Sequence, residues 1–298
     1  MFEHKVVTPP TPRRISFHLM GMGVLAINKL RYAVKGYREP RPFATSEFQK
    51  AITYDRQVVT NWLDALHEYG NRTVKEKTVL ELGPGADLGP ALFLLDHGAK
   101  QYITVDANRL IDETPYGLYS ELLASLDDGK NIKSELDKTL AGNDERIQYL
   151  VDPKFDLSNL EKDSVDLVVS QAAFEHFSDI KQTVSDLTPI VKQGGVLIAE
   201  VDLMTHTGVV RSRDPLNIFR YSNFFYRLMN FSGIPNRVRP NEYKTIFEQH
   251  GWKDVEIIPL QELPREYVET IHTQLARPFR NDETDMHVLT FLIRATKA

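Results

Sequence analysis

The strongest constraint on this chain is a short apolar run that stops at a glycine turn. Lys77-Thr-Val-Leu-Glu-Leu82 is β-branched and apolar, and Gly83-Pro84-Gly85 ends it. Leu88 to His97 follows with the residues of an apolar helix, closed by Gly98, and Gln101 to Val105 reads as a second strand ending at Asp106. A strand, crossover helix and strand unit of this kind makes a parallel pair. The alternation then repeats. Arg146 to Val151, Val165 to Ser170 and Val196 to Val201 read as strands, the last opened by Gly194-Gly195. Asp112 to Leu140, broken at Gly129, and Asp179 to Val191 read as helices. Two late strands, Val255 to Leu260 and His287 to Ala295, come after a helix from Asn241 to His250. This rhythm specifies an α/β domain with a largely parallel sheet.

Residues 1–72 read as an N-terminal helical arm and 73–298 as the α/β domain, with an insertion at about 203–240. Within the arm, Tyr54, Val58, Trp62, Leu66 and Tyr69 recur at spacings of three and four, so Thr53 to Tyr69 is an amphipathic helix. Ile15 to Ile27 is apolar, interrupted by His18, Gly21 and Gly23, and falls short of the roughly 20 residues that span a bilayer. Arg13, Arg14, Lys29, Arg31, Lys35, Arg38 and Arg41 flank it against the single acid Glu39. An apolar stretch with basic flanks can lie in a membrane interface. The plainer reading, favoured on the sequence, is an arm packed on its own domain or on a partner subunit.

Charge and cysteine content narrow the classes further. The 36 basic and 41 acidic side chains leave a formal charge of -5, which gives no global reason to expect nucleic acid as a partner. The chain has no cysteine, which rules out disulfides, thiolate nucleophiles and cysteine-ligated zinc.

In an open α/β sheet, ligands bind outside the carboxyl ends of the strands. Glu81 to Gly89 falls there, with glycines that allow close backbone approach and a helix start that offers unpaired N–H groups. Asp106 ends the next strand, where a carboxylate can accept both hydroxyl hydrogens of a ribose. A dinucleotide dehydrogenase would show the same pair of features. The surrounding motifs distinguish the two. Val79-Leu-Glu-Leu-Gly-Pro-Gly85 resembles motif I of the class I S-adenosylmethionine-dependent methyltransferases, with Glu81, Gly83 and Gly85 matching and Asp87 standing at the third glycine position. Phe155-Asp156-Leu157, Ser164 to Ser170 followed by Phe174-Glu-His-Phe177, and Ile190 to Ile198 resemble that family's later motifs in order. The resemblance implies a Rossmann-like, seven-stranded, mostly parallel sheet in order 3-2-1-4-5-7-6, with helices on both faces. It implies S-adenosylmethionine as cofactor, held by Glu81, Gly83, Pro84, Gly85, Asp106, Ala107, Asp156, Leu157 and Gln171. An NAD-dependent oxidoreductase is the weaker alternative.

Methyl transfer to oxygen usually needs a base. His206 follows the fifth strand of this layout in Glu200-Val-Asp-Leu-Met-Thr-His206, and Asp202 is placed to orient it; His176 lies on the same rim. No catalytic metal is expected. The insertion carries Arg211, Arg213, Arg220, Arg227, Arg237 and Arg239 among aromatic residues, a composition that suits an anionic acceptor. A small-molecule, glycan or lipid-linked acceptor ranks ahead of nucleic acid. The expected setting is cytoplasmic, with peripheral membrane contact through the arm as an option. A cofactor-binding scaffold without catalysis is the reading from a different class.

Overall fold

The structure, a computed structural model, describes residues 4–10, 14–36, 40–281 and 285–298. Arg13, Arg38 and Glu39 of the arm's charged flanks lie outside them. The elements in chain order are β1 (Lys5–Val6), α1 (Arg14–Lys35), α2 (Phe48–Glu68), β2 (Thr78–Leu82), α3 (Gly89–Asp96), β3 (Gln101–Asp106), α4 (Tyr116–Leu123), α5 (Gly129–Leu140) and β4 (Ile147–Val151). There follow β5 (Val165–Gln171), α6 (Ile180–Leu187), β6 (Val191–Asp202), α7 (Gly208–Arg211), α8 (Asn223–Leu228), α9 (Pro240–Gln249), β7 (Trp252–Glu262), α10 (Arg265–Ile271) and β8 (Val288–Lys297).

The sheet runs β1-β7-β8-β6-β5-β2-β3-β4. Among the described residues only β8 is antiparallel to its neighbours. Without β1 this is the expected order of seven strands, so the topology agrees with the resemblance. The eighth strand is the difference: Lys5 and Val6 pair with Gln261 and Glu262 and cover the free edge of β7. The Gly194-Gly195 pair does not open a strand. β6 already begins at Val191, and the two glycines sit at a bulge where its register against β5 shifts between Val165 and Leu167.

Both faces of the sheet are buried, as parallel strands require. β2 has no exposed residue along Thr78–Leu82. One apolar cluster joins α2, α3, α4 and α5 to the sheet, with Val58, Trp62 and Leu66 of the predicted stripe inside it. A second lies on the other face under α6 and α9. The third is a cap over the open end of the strands, built from Leu216, Phe219, Tyr221 and Tyr226 together with Leu263, Ile271, Leu275 and Phe279, and Leu25 of α1 joins it. The cap is thus larger than the 203–240 insertion. The segment between β7 and β8 contributes Leu263, Ile271, Leu275, Phe279 and Met286 to it, in short apolar pieces separated by polar residues that show no period in the sequence.

Candidate active site

The first strand end forms as the sequence implies. Gly83 and Gly85 have φ of +75° and +77°, a region that strains any residue with a Cβ. A Cβ on Gly83 would stand 2.5 Å from that of Ala173, so the turn also packs against the loop after β5. Pro84 lies between them, half-buried. Asp106 is buried at the end of β3 and accepts the backbone N–H groups of Gly85 (3.2 Å) and Asn108 (3.3 Å). Burial raises its carboxyl to about 6, against those hydrogen bonds, which favour the charged form. Ala107 follows it at the same rim, and Gln171 ends β5 with its side chain on Glu200 of β6.

Two further acids meet at this turn, Asp87 of the motif and Asp55 of α2, which no sequence motif marks. Asp87, at the expected third glycine, turns back to accept the N–H of Gly89 at 2.8 Å. Asp55 of α2 lies against it, and Gly89 leaves the room: a Cβ there would stand 2.1 Å from Asp55 Oδ2. Sequence periodicity put Tyr54 on the buried stripe, but Tyr54 is half exposed and its neighbour Asp55 is buried. Glu81 is buried with Oε2 lacking a hydrogen-bond partner, and so is Asp55 Oδ2. Burial first, and then the neighbouring carboxylates, push Asp55 and Glu81 well above the usual carboxylate range; burial also raises Asp87. Carboxylates held in this way are short of cations and of O–H or N–H donors. S-adenosylmethionine, with a cationic sulfonium and ammonium and a ribose diol, fits that donor set.

Asp156 and Leu157 are placed less favourably. Asp156 is exposed, its Oδ1 accepting the N–H of Ser158 in its own turn, while Leu157 is fully buried in the apolar core. At this rim the residue tied to Asp106 is Asp152, whose N–H donates to the Asp106 carbonyl at 2.8 Å.

The second half of the site comes from two adjacent strand ends. β5 and β6 pair with Gln171 opposite Glu200, so the turn after β5 and the loop after β6 share one rim. That turn carries Glu175 and His176, and Asn236 of the cap pins it by donating Nδ2 to the carbonyls of Phe174 (2.9 Å) and Phe177 (3.0 Å). His206 Nε2 lies 3.6 Å from Glu175 Oε1 and 3.8 Å from Asp202 Oδ2. Asp202 is already engaged by Arg211 at 2.6 Å and by the N–H of Met204 at 3.0 Å. Asp202 is thus shared between His206, Arg211 and Met204, while both carboxylate oxygens of Glu175 lack a hydrogen-bond partner. The rings of His176 and His206 meet edge to face, 4.8 Å apart. Burial, with the neighbouring His206 charge, lowers His176 to about 4, which keeps it neutral, and burial raises Glu175. Thirty residues separate Glu175 from His206, which is why the sequence showed no cluster of acids and histidines.

The arginines of the insertion have mostly structural work. Arg220 forms a two-pronged pair with Asp214 (2.7 and 2.9 Å) in which both side chains are fully buried. Arg237 donates to the carbonyls of Ile218 and Tyr221, Arg239 to those of Asp285 and Val288, and Arg211 to Asp202. Arg213 and Arg227 are the exposed ones. Of the six arginines whose composition suits an anionic acceptor, four are thus engaged by other groups of the protein.

A family model described as a methyltransferase domain matches residues 54–257. No curated protein matches the chain. Among solved structures it is similar to an S-adenosylmethionine-dependent methyltransferase candidate from Listeria monocytogenes (15% identity, 82% of this chain and 99% of that chain, TM-score 0.47). It is also similar to an S-adenosylmethionine-dependent methyltransferase from Mesorhizobium loti (16% identity, 78% and 96%, TM-score 0.42). A third is phosphoethanolamine N-methyltransferase 2 from Haemonchus contortus (13% identity, 80% and 52%, TM-score 0.46). The family match covers more than half of the chain and includes the glycine turn, Asp106 and the Glu175–His206 rim, so this protein belongs to the methyltransferase-domain family and is an S-adenosylmethionine-dependent methyltransferase.

Proposed function

We propose that the enzyme methylates a hydroxyl oxygen on a lipid-linked acceptor at an anionic membrane surface. The observation that carries this reading is the outer face of α1. Ile15, Leu19, Ile27, Leu30 and Val34 are each more than 60% exposed. At about 100° per residue they fall within roughly a third of the helix circumference. The opposite face packs on the cap: Asn217 Nδ2 donates to the carbonyl of Phe17, and Tyr221 Oη to that of His18. Gly21 makes that approach possible, since a Cβ there would stand 2.0 Å from Asn217 Oδ1. Phe224 and Leu228 of α8 extend the exposed apolar patch from the cap, and Lys29 ties the two helices by donating to the Leu228 carbonyl. The helix has basic residues and no acid. An apolar face edged by cations suits a layer of anionic lipid. No helix among the described residues is long and apolar enough to cross a membrane.

The cofactor, when bound, supplies an electrophilic methyl group on a sulfonium. The chain's part is to hold and to align, which can be worth roughly 7–11 kcal/mol. Asp106 would take the ribose hydroxyls, the backbone of Gly83–Gly85 would lie under the nucleoside, and Glu81 with Asp55 and Asp87 would face the positive charge. His206, partly exposed at the rim, is placed to receive the acceptor proton, with Glu175 beneath to hold the ring and stabilise its charged form.

Two measurements test this reading. Vesicles of phosphatidylcholine with about 30% phosphatidylglycerol should co-sediment the protein, and added salt should release it. Ile27→Glu with Leu30→Glu should weaken this partition at least tenfold, since burying each apolar side chain is worth about 1.5–3 kcal/mol. With methyl-labelled cofactor and a total lipid extract, the label should enter the organic phase in a form stable to mild alkali, as an ether is. Equal sedimentation of the double variant, or label confined to water-soluble products, would contradict the lipid reading.

A further inference from the structure

The rim cluster has more unsatisfied ligand atoms than a simple base needs. Glu175 is 1% exposed, and neither of its carboxylate oxygens has a hydrogen-bond partner. His176 Nδ1 is buried and also lacks one, while the ring is engaged by the backbone of Gly233, which leaves that contact to Nε2. A histidine whose other nitrogen is tied to the backbone has its tautomer and ring orientation fixed, with a bare lone pair on the free nitrogen. Metal-ligating histidines share this arrangement. The third member, His206, is one-third exposed and points Nε2 at Glu175. One ligand atom from each of the three residues can be chosen so that all lie within 4.8 Å of one another.

We infer that Glu175, His176 and His206 bind a divalent first-row transition cation. Two imidazoles and one carboxylate are the donor set of zinc, manganese, iron or cobalt rather than of magnesium or calcium, which take oxygen ligands. Ligands on a tetrahedral ion with bonds of about 2.1 Å lie about 3.4 Å apart, so side-chain rotations that draw the three atoms in by about 1 Å complete the site. The turn holding Glu175 and His176 is fixed by Asn236, and His206 can move into place from its loop. Three protein ligands leave an open position toward the rim, the arrangement of a catalytic site.

The consequence deepens the hydroxyl-acceptor reading and rests on it. An acceptor hydroxyl in the open position would have its pKa lowered by the cation and lose its proton to solvent, and the cation would keep the resulting alkoxide in place. His206 serves as the base of the cation-free rim, and once the cation is bound its Nε2 is a ligand and the proton goes to solvent. Ala173, two residues before Glu175, packs against Gly83, so the cation site adjoins the cofactor turn.

The test uses the full chain, stripped with a chelator and dialysed. Titration with Co²⁺ should show one ion bound per chain with visible ligand-field bands, and Zn²⁺ should displace it. Glu175→Gln, which keeps the shape and removes the charge, should weaken binding at least tenfold. His206→Asn, at a partly exposed position that does not threaten folding, should do the same. Absence of saturable one-to-one binding in the wild type would overturn the proposal, as would unchanged affinity in His206→Asn. S-adenosylmethionine affinity measured on the same stripped protein separates the two claims: intact cofactor binding without a cation site removes the cation and leaves the methyltransferase reading in place.

Discussion

Arg220→Met should destabilise the protein by about 3–5 kcal/mol, lowering its Tm by roughly 10 °C. The reason is the burial of its partner. Asp214 has no exposed side-chain surface and is neutralised by two prongs from Arg220, with Asn217 Nδ2 as its remaining side-chain donor at 2.8 Å. Arg220 also reaches Gln274 at 2.6 Å, which joins the two halves of the cap. Met fills similar volume and leaves a buried anion. Arg220→Met with Asp214→Leu should recover most of the loss, because removing both charges avoids the unpaired one. Urea denaturation of the two variants checks this, and equal destabilisation by both would show that the pair matters through packing alone.

The acids at the glycine turn should give cofactor binding and folding opposite responses to pH. Each of Asp55, Glu81, Asp87 and Asp106 has its pKa raised in the folded protein. A raised carboxyl pKa favours the protonated folded state. The stability these groups contribute is therefore full below the ordinary carboxylate range of about 4 and is lost as pH rises, for Asp106 through about 6. Binding works the other way, because a cationic cofactor and a ribose diol prefer the ionised acids. Affinity for S-adenosylmethionine should thus fall below pH 6, roughly tenfold per unit where one group titrates. Proton release on binding near neutral pH should appear as a dependence of calorimetric heat on buffer ionisation enthalpy. Asp55→Asn should raise the Tm of the ligand-free protein at pH 8 by roughly 2–4 °C, and it should weaken S-adenosylmethionine more than the uncharged-sulfur product. Affinity that is flat from pH 7.5 to 5.5 with no buffer dependence would exclude this role for the acids.

These two results touch what the sequence could and could not convey. The strand–turn–helix unit and Asp106 were legible because each depends on local pattern: β-branched runs, glycines at positive φ, and one carboxylate at a strand end; the strand order was implied by the family resemblance. What failed to show depends on contacts between distant segments. Asp55 and Asp87 come together through Gly89, and the same stripe that marked α2 placed Tyr54 inward by one position. Arg220, Arg237 and Arg239 read as a basic surface because composition records charge and not burial. Glu175 and His206 meet only when β5 and β6 pair, so their contact leaves no mark in the sequence. The cap's second segment, with α10, has too few consecutive apolar residues to announce a helix. The apolar run and basic flanks of α1 were visible, but which face would be covered was decided by Gly21 on Asn217 and Tyr221.

The central claim is that the glycine turn and Asp106 hold S-adenosylmethionine, and titration calorimetry on the purified protein addresses it most directly. S-adenosylmethionine and S-adenosylhomocysteine should bind with micromolar affinity and NAD should not. Asp106→Ala should weaken both sulfur nucleotides at least tenfold, since both present the same ribose hydroxyls. Undiminished binding in Asp106→Ala, or a preference for NAD in the wild type, would contradict the account.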